Sequence, residues 1–341
     1  MINRFTKLIE NKINIKKASK FAFIIGEKPS SGARSPVLWN KAYRFLNKDS
    51  KMYPADVSEN NLKRLIFCLK KEKNFIGCSV TIPYKEKIIP YLDAIDNNAK
   101  KIGSVNTVIN NLGKLKGFNT DYYGSFYSIK KICKIKKYQN VLILGCGGAG
   151  KACIISAINY FNNSIIYLHN RNKKKIKNLL KNSETNNSIK IVDNYKKLKK
   201  IKKLDLIINT TSVGFDIWIN KNKNKNKNFI NFLPFSPLSQ LRKINSIKKK
   251  NFNLFKKLNK KAIINNIKES LNFLRKHHGT KIFDIIYLPH ETVLLKLSKL
   301  LGIKTINGSL MNLMQAVEGF GIVNKYNNKK QTIMAMTKNG K

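Results

Sequence analysis

Val141-Leu142-Ile143-Leu144-Gly145-Cys146-Gly147-Gly148-Ala149-Gly150 decides the fold of this chain. Four apolar residues read as a buried strand, the glycines break it, and a helical segment runs from Lys151 to Tyr160. Strand, glycine turn and helix together make a phosphate cradle. The first glycine lets the backbone turn sharply, the second leaves room for a pyrophosphate, and the third lets helix and strand pack closely. Such a motif is weak alone, but a second strand, Ser164 to Leu168, follows at the distance its context requires. That strand ends in His169-Asn170-Arg171, where a unit built for NAD carries an acid for the ribose hydroxyls. With no acid and an arginine for a 2′-phosphate, the expected cofactor is NADP, held by Gly145, Gly147, Gly148, Ala149, Gly150, Asn170 and Arg171.

A chain of 341 residues can bury at least one large core, and two domains are expected. Hydrophobic residues make up 42%, which excludes global disorder. Apolar runs are too short to span a membrane, and the basic start is too broken by Lys and Asn for a signal peptide. Five cysteines without C-x-x-C spacing point to free thiols in a reducing compartment, hence a cytoplasmic protein. The net charge of +49 is nearly all lysine, spread along the chain among abundant Asn and Ile. These residues share A/T-rich codons, and no arginine forks or aromatics sit in a basic stripe, so no specific nucleic-acid role is expected.

Phe21 to Ile25 reads as a strand, 26–36 as a loop and 37–47 as a helix. A second extended piece (51–57), an amphipathic helix (61–71) and a third strand, Phe75 to Thr81, follow. The third strand runs into Ile82-Pro83-Tyr84-Lys85-Glu86-Lys87, and proline at a helix start places Thr81 and Lys85 at the strand's carboxyl edge, where open α/β sheets bind ligands. A helix is expected near Ala94 to Lys101, then a hairpin turning at Asn110-Asn111-Leu112-Gly113. It ends in Gly117-Phe118-Asn119-Thr120-Asp121, where local position favours Asp121 as a helix N-cap.

Seven peptides stand in the order seen in shikimate dehydrogenases: Val80 to Lys85, Ile102 to Thr107, Gly117 to Asp121, the glycine turn, Asn170-Arg171, Asn209-Thr210-Thr211-Ser212-Val213-Gly214 and Gly308 to Gln315. The chain from about Phe21 to Asn324 resembles that family. The resemblance implies an α/β protein with an N-terminal substrate domain (1–120 plus 306–326) and a Rossmann-type NADP domain (121–305), the C-terminal helix returning to the first domain. It implies Lys85 and Asp121 as the catalytic pair for shikimate and 3-dehydroshikimate, in aromatic amino-acid biosynthesis. Ser35, Thr81, Asn106, Asp121, Tyr287 and Gln315 would hold the substrate, and Thr210 and Gly308 would join the cofactor set. The implied partner is the small-molecule substrate, with no membrane and a monomer or homodimer.

Three departures from the family stand out. The substrate loop reads Gly32-Ala33-Arg34-Ser35-Pro36, so a first serine is replaced by Ala33, with Arg34 beside it. Asn170-Arg171 is followed by Asn172 in place of threonine. Residues from 216 to about 278 read as an expanded loop or partly helical insert on the cofactor domain, and this insert contains the low-complexity run Asn220 to Lys227, which cannot bury a core and reads as disordered. His277-His278 lacks partners at metal spacing, so no metal is expected. The residues after Asn324 read as a loose basic tail, and Met1 to Lys20 as a remnant of a linker. A quinate/shikimate dehydrogenase of broader specificity, and a decayed scaffold acting as a basic binding protein, remain as rivals.

Overall fold

The structure is a computed structural model that describes residues 5–15, 19–181, 185–192, 195–212 and 252–338. Two compact units divide the chain, the first made of Met1–Ser125 with Met311–Lys341 and the second of Phe126–Leu310.

The first unit is built on β1 (Lys20–Gly26), β2 (Ser50–Asp56), β3 (Phe75–Val80), β4 (Ala94–Ile95), β5 (Thr107–Asn111) and β6 (Lys114–Phe118), ordered β2-β1-β3-β5-β6-β4 in one sheet. β1 is parallel to β2 and β3, while β5 runs antiparallel to β3 and β6. Side chains of β1 alternate between two cores: Phe21, Phe23 and Ile25 enter one, Ala22 and Ile24 the other. The β5–β6 hairpin turns on Leu112 and Gly113, both at positive φ (53° and 88°), which matches the right-handed twist of the strands.

Three sequence expectations fail in this unit. The start of the chain is core, not linker: Phe5, Leu8, Ile9 and Ile15 are buried, and Phe5 stacks on Phe21 with centroids 5.7 Å apart. Ala94–Ile95 is a short strand pairing with β6, and the helix begins only at Asn97, capped by the Asp96 carboxylate. The tail is not loose, because Lys329–Thr337 is a helix whose Ala335 and Met336 complete the second core with Trp39 and Phe320.

The second unit holds β7 (Asn140–Leu144), β8 (Ile165–His169), β9 (Ser188–Ile191), β10 (Leu206–Asn209), β11 (Lys281–Asp284) and β12 (Lys304–Ile306). Their order, β12-β11-β10-β7-β8-β9, is all parallel and reverses direction between β7 and β10. This is the doubly wound dinucleotide-binding order, with its switch point beside the glycine turn. The expanded loop or partly helical insert expected at about 216–278 is helical over its last part. Phe252–Lys276 is the crossover helix between β10 and β11, and its Phe273 and Leu274 are buried in the unit's core. Val213, Gly214 and the lysine–asparagine run lie outside the described residues.

Candidate active site

The parallel β1, β2 and β3 end on the same edge of the first sheet, and the antiparallel β5 begins there. The backbone joins the three motif stretches at this edge: Val80 N–H donates to Asn106 O (2.8 Å), Asn106 N–H to Phe118 O (3.0 Å) and Val105 N–H to Lys85 O (2.7 Å). Lys85 sits on the short helix Tyr84–Lys87. The buried Tyr84 anchors that helix by donating its hydroxyl to Val57 O at 2.6 Å. The Lys85 ammonium lies 2.5 Å from Asp121 Oδ2, the two side chains only 19% and 10% exposed. A pair so far withdrawn from water is attracted more strongly than a surface ion pair and is less screened by salt.

Asp121 is not the N-cap that its position suggested. Asn119 caps the helix Thr120–Ile132 by accepting from Tyr122 N–H (3.3 Å), and its amide donates to Ser104 O and Oγ, both at 2.9 Å. The carboxylate of Asp121 is thereby left for Lys85. Asn106 Oδ1 accepts from Thr120 N–H (2.7 Å) and Oγ1 (3.1 Å), which fixes which end of the amide is oxygen, since a backbone N–H can only donate. Asn119, Ser104 and Thr120 were missed by the sequence reading. Asn119 had a readable signal as a cap-type residue just before the helix.

Thr81 follows β3 and donates its backbone N–H to Ile25 O (2.9 Å). Ser35 lies buried in the first turn of the helix Arg34–Phe45, whose N-cap, Ala33, contributes no side-chain bond. The loop before it is pinned by Asp56, which accepts from Ser30 N–H (2.8 Å) and from its hydroxyl. Gln315 is half-buried on the helix Ser309–Asn324, its amide donating to Asn312 O (3.1 Å). Three contacts seat this helix. Trp39 Nε1 donates to Ala316 O (3.1 Å), Gly319 faces Trp39 and Thr107, and Gly124 lies so close to Met311 that a Cβ there would stand 2.4 Å from its carbonyl oxygen. Tyr287, alone among the predicted substrate contacts, belongs to the second unit.

In the second unit the glycines divide the work of the turn. Gly145 has φ +103°, and a Cβ on it or on Gly150 would meet Thr210 Oγ1 at 2.6 Å. Thr210 fills the underside of the turn and spends its hydroxyl on Leu144 O (2.8 Å). Gly147 is the opposite case, exposed and with nothing within 4 Å of the point where a side-chain methyl group would stand. Behind it Gly148 and Ala149 open the helix Gly148–Tyr160 with its free N–H groups. Cys146 N–H donates to Asn170 Oδ1 (3.2 Å), so Asn170 braces the turn, while Arg171 is exposed beside it. Asn172, in the threonine position, caps the next helix by accepting from Lys174 N–H (3.0 Å). Gly308 presses on the chain after β11, where a Cβ would fall 1.8 Å from Ile285 O. An open backbone approach, free helix N–H groups and an arginine fit a dinucleotide with a 2′-phosphate. Among the described residues no group of three or more His, Cys, Asp or Glu could hold a metal ion, and no helix is long and apolar enough to cross a membrane.

Comparison with known proteins bears on the family and the fold. Residues 24–108 match the model of the shikimate dehydrogenase substrate binding domain. The shikimate dehydrogenase (NADP(+)) of Methanosphaera stadtmanae is 34% identical over 302 residues, covering 88% of this chain and 89% of the relative. That of Halothermothrix orenii is 33% identical over 298 residues, covering 86% of each. The crystal structure of shikimate dehydrogenase from Aquifex aeolicus aligns with a TM-score of 0.68 at 26% identity, covering 95% of this chain and all of that one. By sequence over most of its length, and by fold, the chain belongs to the shikimate dehydrogenase family.

Proposed function

We propose that this chain interconverts shikimate and 3-dehydroshikimate with NADP as hydride carrier, the activity its relatives' names carry. The observation that carries the reading is the Lys85–Asp121 pair, drawn from two separate motifs and largely withdrawn from water. Reduction of the ring ketone adds a hydride to carbon and a proton to oxygen. Lys85 gives that proton from Nζ, and in the reverse direction takes one from the hydroxyl. Asp121 aims the ammonium and accepts a hydrogen bond from the neighbouring substrate hydroxyl. Asn106, its oxygen engaged by Thr120, offers its amide end to a ring hydroxyl. Ser35, Thr81, Tyr287 and Gln315 supply the remaining neutral donors and acceptors.

The cofactor would be held by Gly145, Gly147, Gly148, Ala149, Gly150, Asn170 and Arg171, with Thr210 shaping the turn from below and Gly308 packing behind Ile285. When bound, NADPH supplies the hydride and NADP+ takes it back. In this reading the first unit is the substrate domain and the second the NADP domain, and the enzyme works in the cytoplasm as a monomer or homodimer, which suits five free thiols. The intact pair and open glycine turn argue against a decayed binding scaffold. The test is a spectrophotometric assay of the purified chain with shikimate and quinate, each against NADP and NAD. Turnover with shikimate and NADP is expected. Equal use of quinate would broaden the specificity, and no turnover with either acid would overturn the reading.

A further inference from the structure

Asp284 ends β11 and is fully buried, yet the catalytic assignment leaves it without a role. Its carboxylate gathers three donors. Oδ1 accepts from Asn209 Nδ2 and from Ile286 N–H, both at 3.1 Å, and Oδ2 accepts from the Thr292 hydroxyl at 2.7 Å. Each donor comes from a different place: Asn209 from the end of β10, Ile286 from the chain just past β11, and Thr292 from the N-cap of the helix Val293–Leu300. The segment 285–292 therefore leaves Asp284 and comes back to it, with Tyr287 between the two ends.

The outer side of the same segment is held as well. Gly308 N–H donates to Ile286 O (3.0 Å), the Gly308 backbone presses on Ile285 O, and Asn307 donates to His290 O (2.9 Å). We propose that Asp284 is a positioning residue, whose carboxylate closes the 285–292 turn and so sets where Tyr287 meets the substrate. This rests on the assignment of Tyr287 as a substrate contact in the proposed reaction.

A neutral acid could not accept from all three donors with the same geometry. The groups that face the carboxyl from β10, the turn and the helix are Asn209, Ile286 N–H and Thr292, none of them charged. In the turn itself His290 is exposed and Glu291 pairs outward with Lys299. Burial raises the Asp284 carboxyl to about 6, against three hydrogen bonds that pull it down. A group whose proton affinity burial displaces in this way is a candidate for a role in a site, and here the geometry of the turn supplies that role.

The experiment measures kcat, the KM for shikimate and the NADP dissociation constant from pH 5 to 8 for the full-length enzyme, Asp284→Asn and Thr292→Val. In the parent enzyme the KM for shikimate should rise as pH falls through about 6, by roughly tenfold if one hydrogen bond to the substrate is lost. Asp284→Asn, which imitates the neutral acid, should show that high KM at every pH, with kcat and NADP affinity changed less than threefold. Thr292→Val, which removes one donor, should raise KM by a smaller factor and serves if the first variant does not fold. A parent-like KM and pH profile in both variants, or a loss confined to kcat, would overturn the inference. A parent enzyme with no shikimate turnover would instead overturn the proposed reaction.

Discussion

A methyl group on Gly147 and a methyl group on Gly145 should have opposite effects, although the two residues stand only two apart. Gly147 has φ −83° and ψ −169°, which alanine adopts without strain, and nothing lies within 4 Å of the added carbon. Folding stability should stay within about 1 kcal/mol of the parent, with a slight gain from the stiffer unfolded chain. The new methyl group fills the space left for the pyrophosphate, and losing one charge-assisted hydrogen bond there costs about 1.5–3 kcal/mol, so NADP should bind roughly 10- to 150-fold more weakly. Gly145 has φ +103°, and its Cβ would stand 2.6 Å from Thr210 Oγ1 and 3.1 Å from the Thr210 carbonyl carbon. A strained backbone costs about 1–3 kcal/mol and overpacking against it a similar amount, so Gly145→Ala should lose roughly 2–6 kcal/mol of stability. Thermal unfolding and a fluorescence titration with NADP read the two effects separately. A Gly147→Ala variant that binds NADP like the parent, or a Gly145→Ala variant as stable as the parent, would refute this division of labour.

Lys85→Ala should lower turnover by a factor of about a hundred or more while NADP titrates normally, and unchanged turnover would remove Lys85 from the chemistry. Gly124→Ala sets a helix gain of about 1 kcal/mol against overpacking of about 1–3 kcal/mol. Because the clash at 2.4 Å is with a helix backbone oxygen, which cannot swing aside, the clash should win. Lower melting temperature and a raised KM for shikimate, through displaced Gln315, are the expected result, and a more stable variant with an unchanged KM would contradict it. Phe5→Ala should cost about 3–5 kcal/mol, measured by denaturant unfolding, if the start of the chain is core.

The glycine turn with its flanking strands, and the three motif stretches of the first unit, were readable because each rests on a local pattern: a strand run, a glycine at fixed offset, a proline at a helix start. Asp121 was misjudged by position because capping is a competition, and Asn119, two residues earlier, won it. Ala94–Ile95 is too short to show a period and exists only through its pairing with β6. The chain start and the Lys329–Thr337 helix put a few apolar residues, Phe5 and Met336 among them, into distant cores. Their lysines and asparagines dominate any local average. The bounds of the crossover helix are less plain, since its buried stripe carries Asn266 and Ser270 among the apolar residues, and the buried His277 follows its end directly. Asp284 gave no signal at all, because its two side-chain partners, Asn209 and Thr292, are 75 and 8 residues away along the chain.

His277 and Asp284 are both buried in the second unit, and their effects on its stability should oppose each other as pH changes. His277 is 3% exposed against Phe273, and neither ring nitrogen has a hydrogen-bonding partner among the described residues. Burial, with the Lys276 charge beside it, lowers its pKa from 6.5 to about 4. Between those values the unfolded chain binds the proton and the folded one does not, so His277 gives its full contribution above 6.5 and loses it as pH falls toward 4, up to about 3 kcal/mol. Asp284 runs the other way. Its pKa is raised from 3.8 to about 6, so the folded chain holds the proton more tightly, and the resulting stability is present below 3.8 and lost as pH rises through 6, again about 3 kcal/mol. Over most of the window from 6 to 4 the two slopes nearly cancel, and these groups should leave unfolding by urea almost independent of pH there. Asp284→Asn should expose the histidine slope, with stability falling toward acid relative to the parent, and His277→Leu should expose the opposite slope. Parallel stability curves for all three proteins between pH 4 and 7 would mean that neither group carries a displaced proton affinity, and the buried carboxylate would then lose its claim to act near neutral pH.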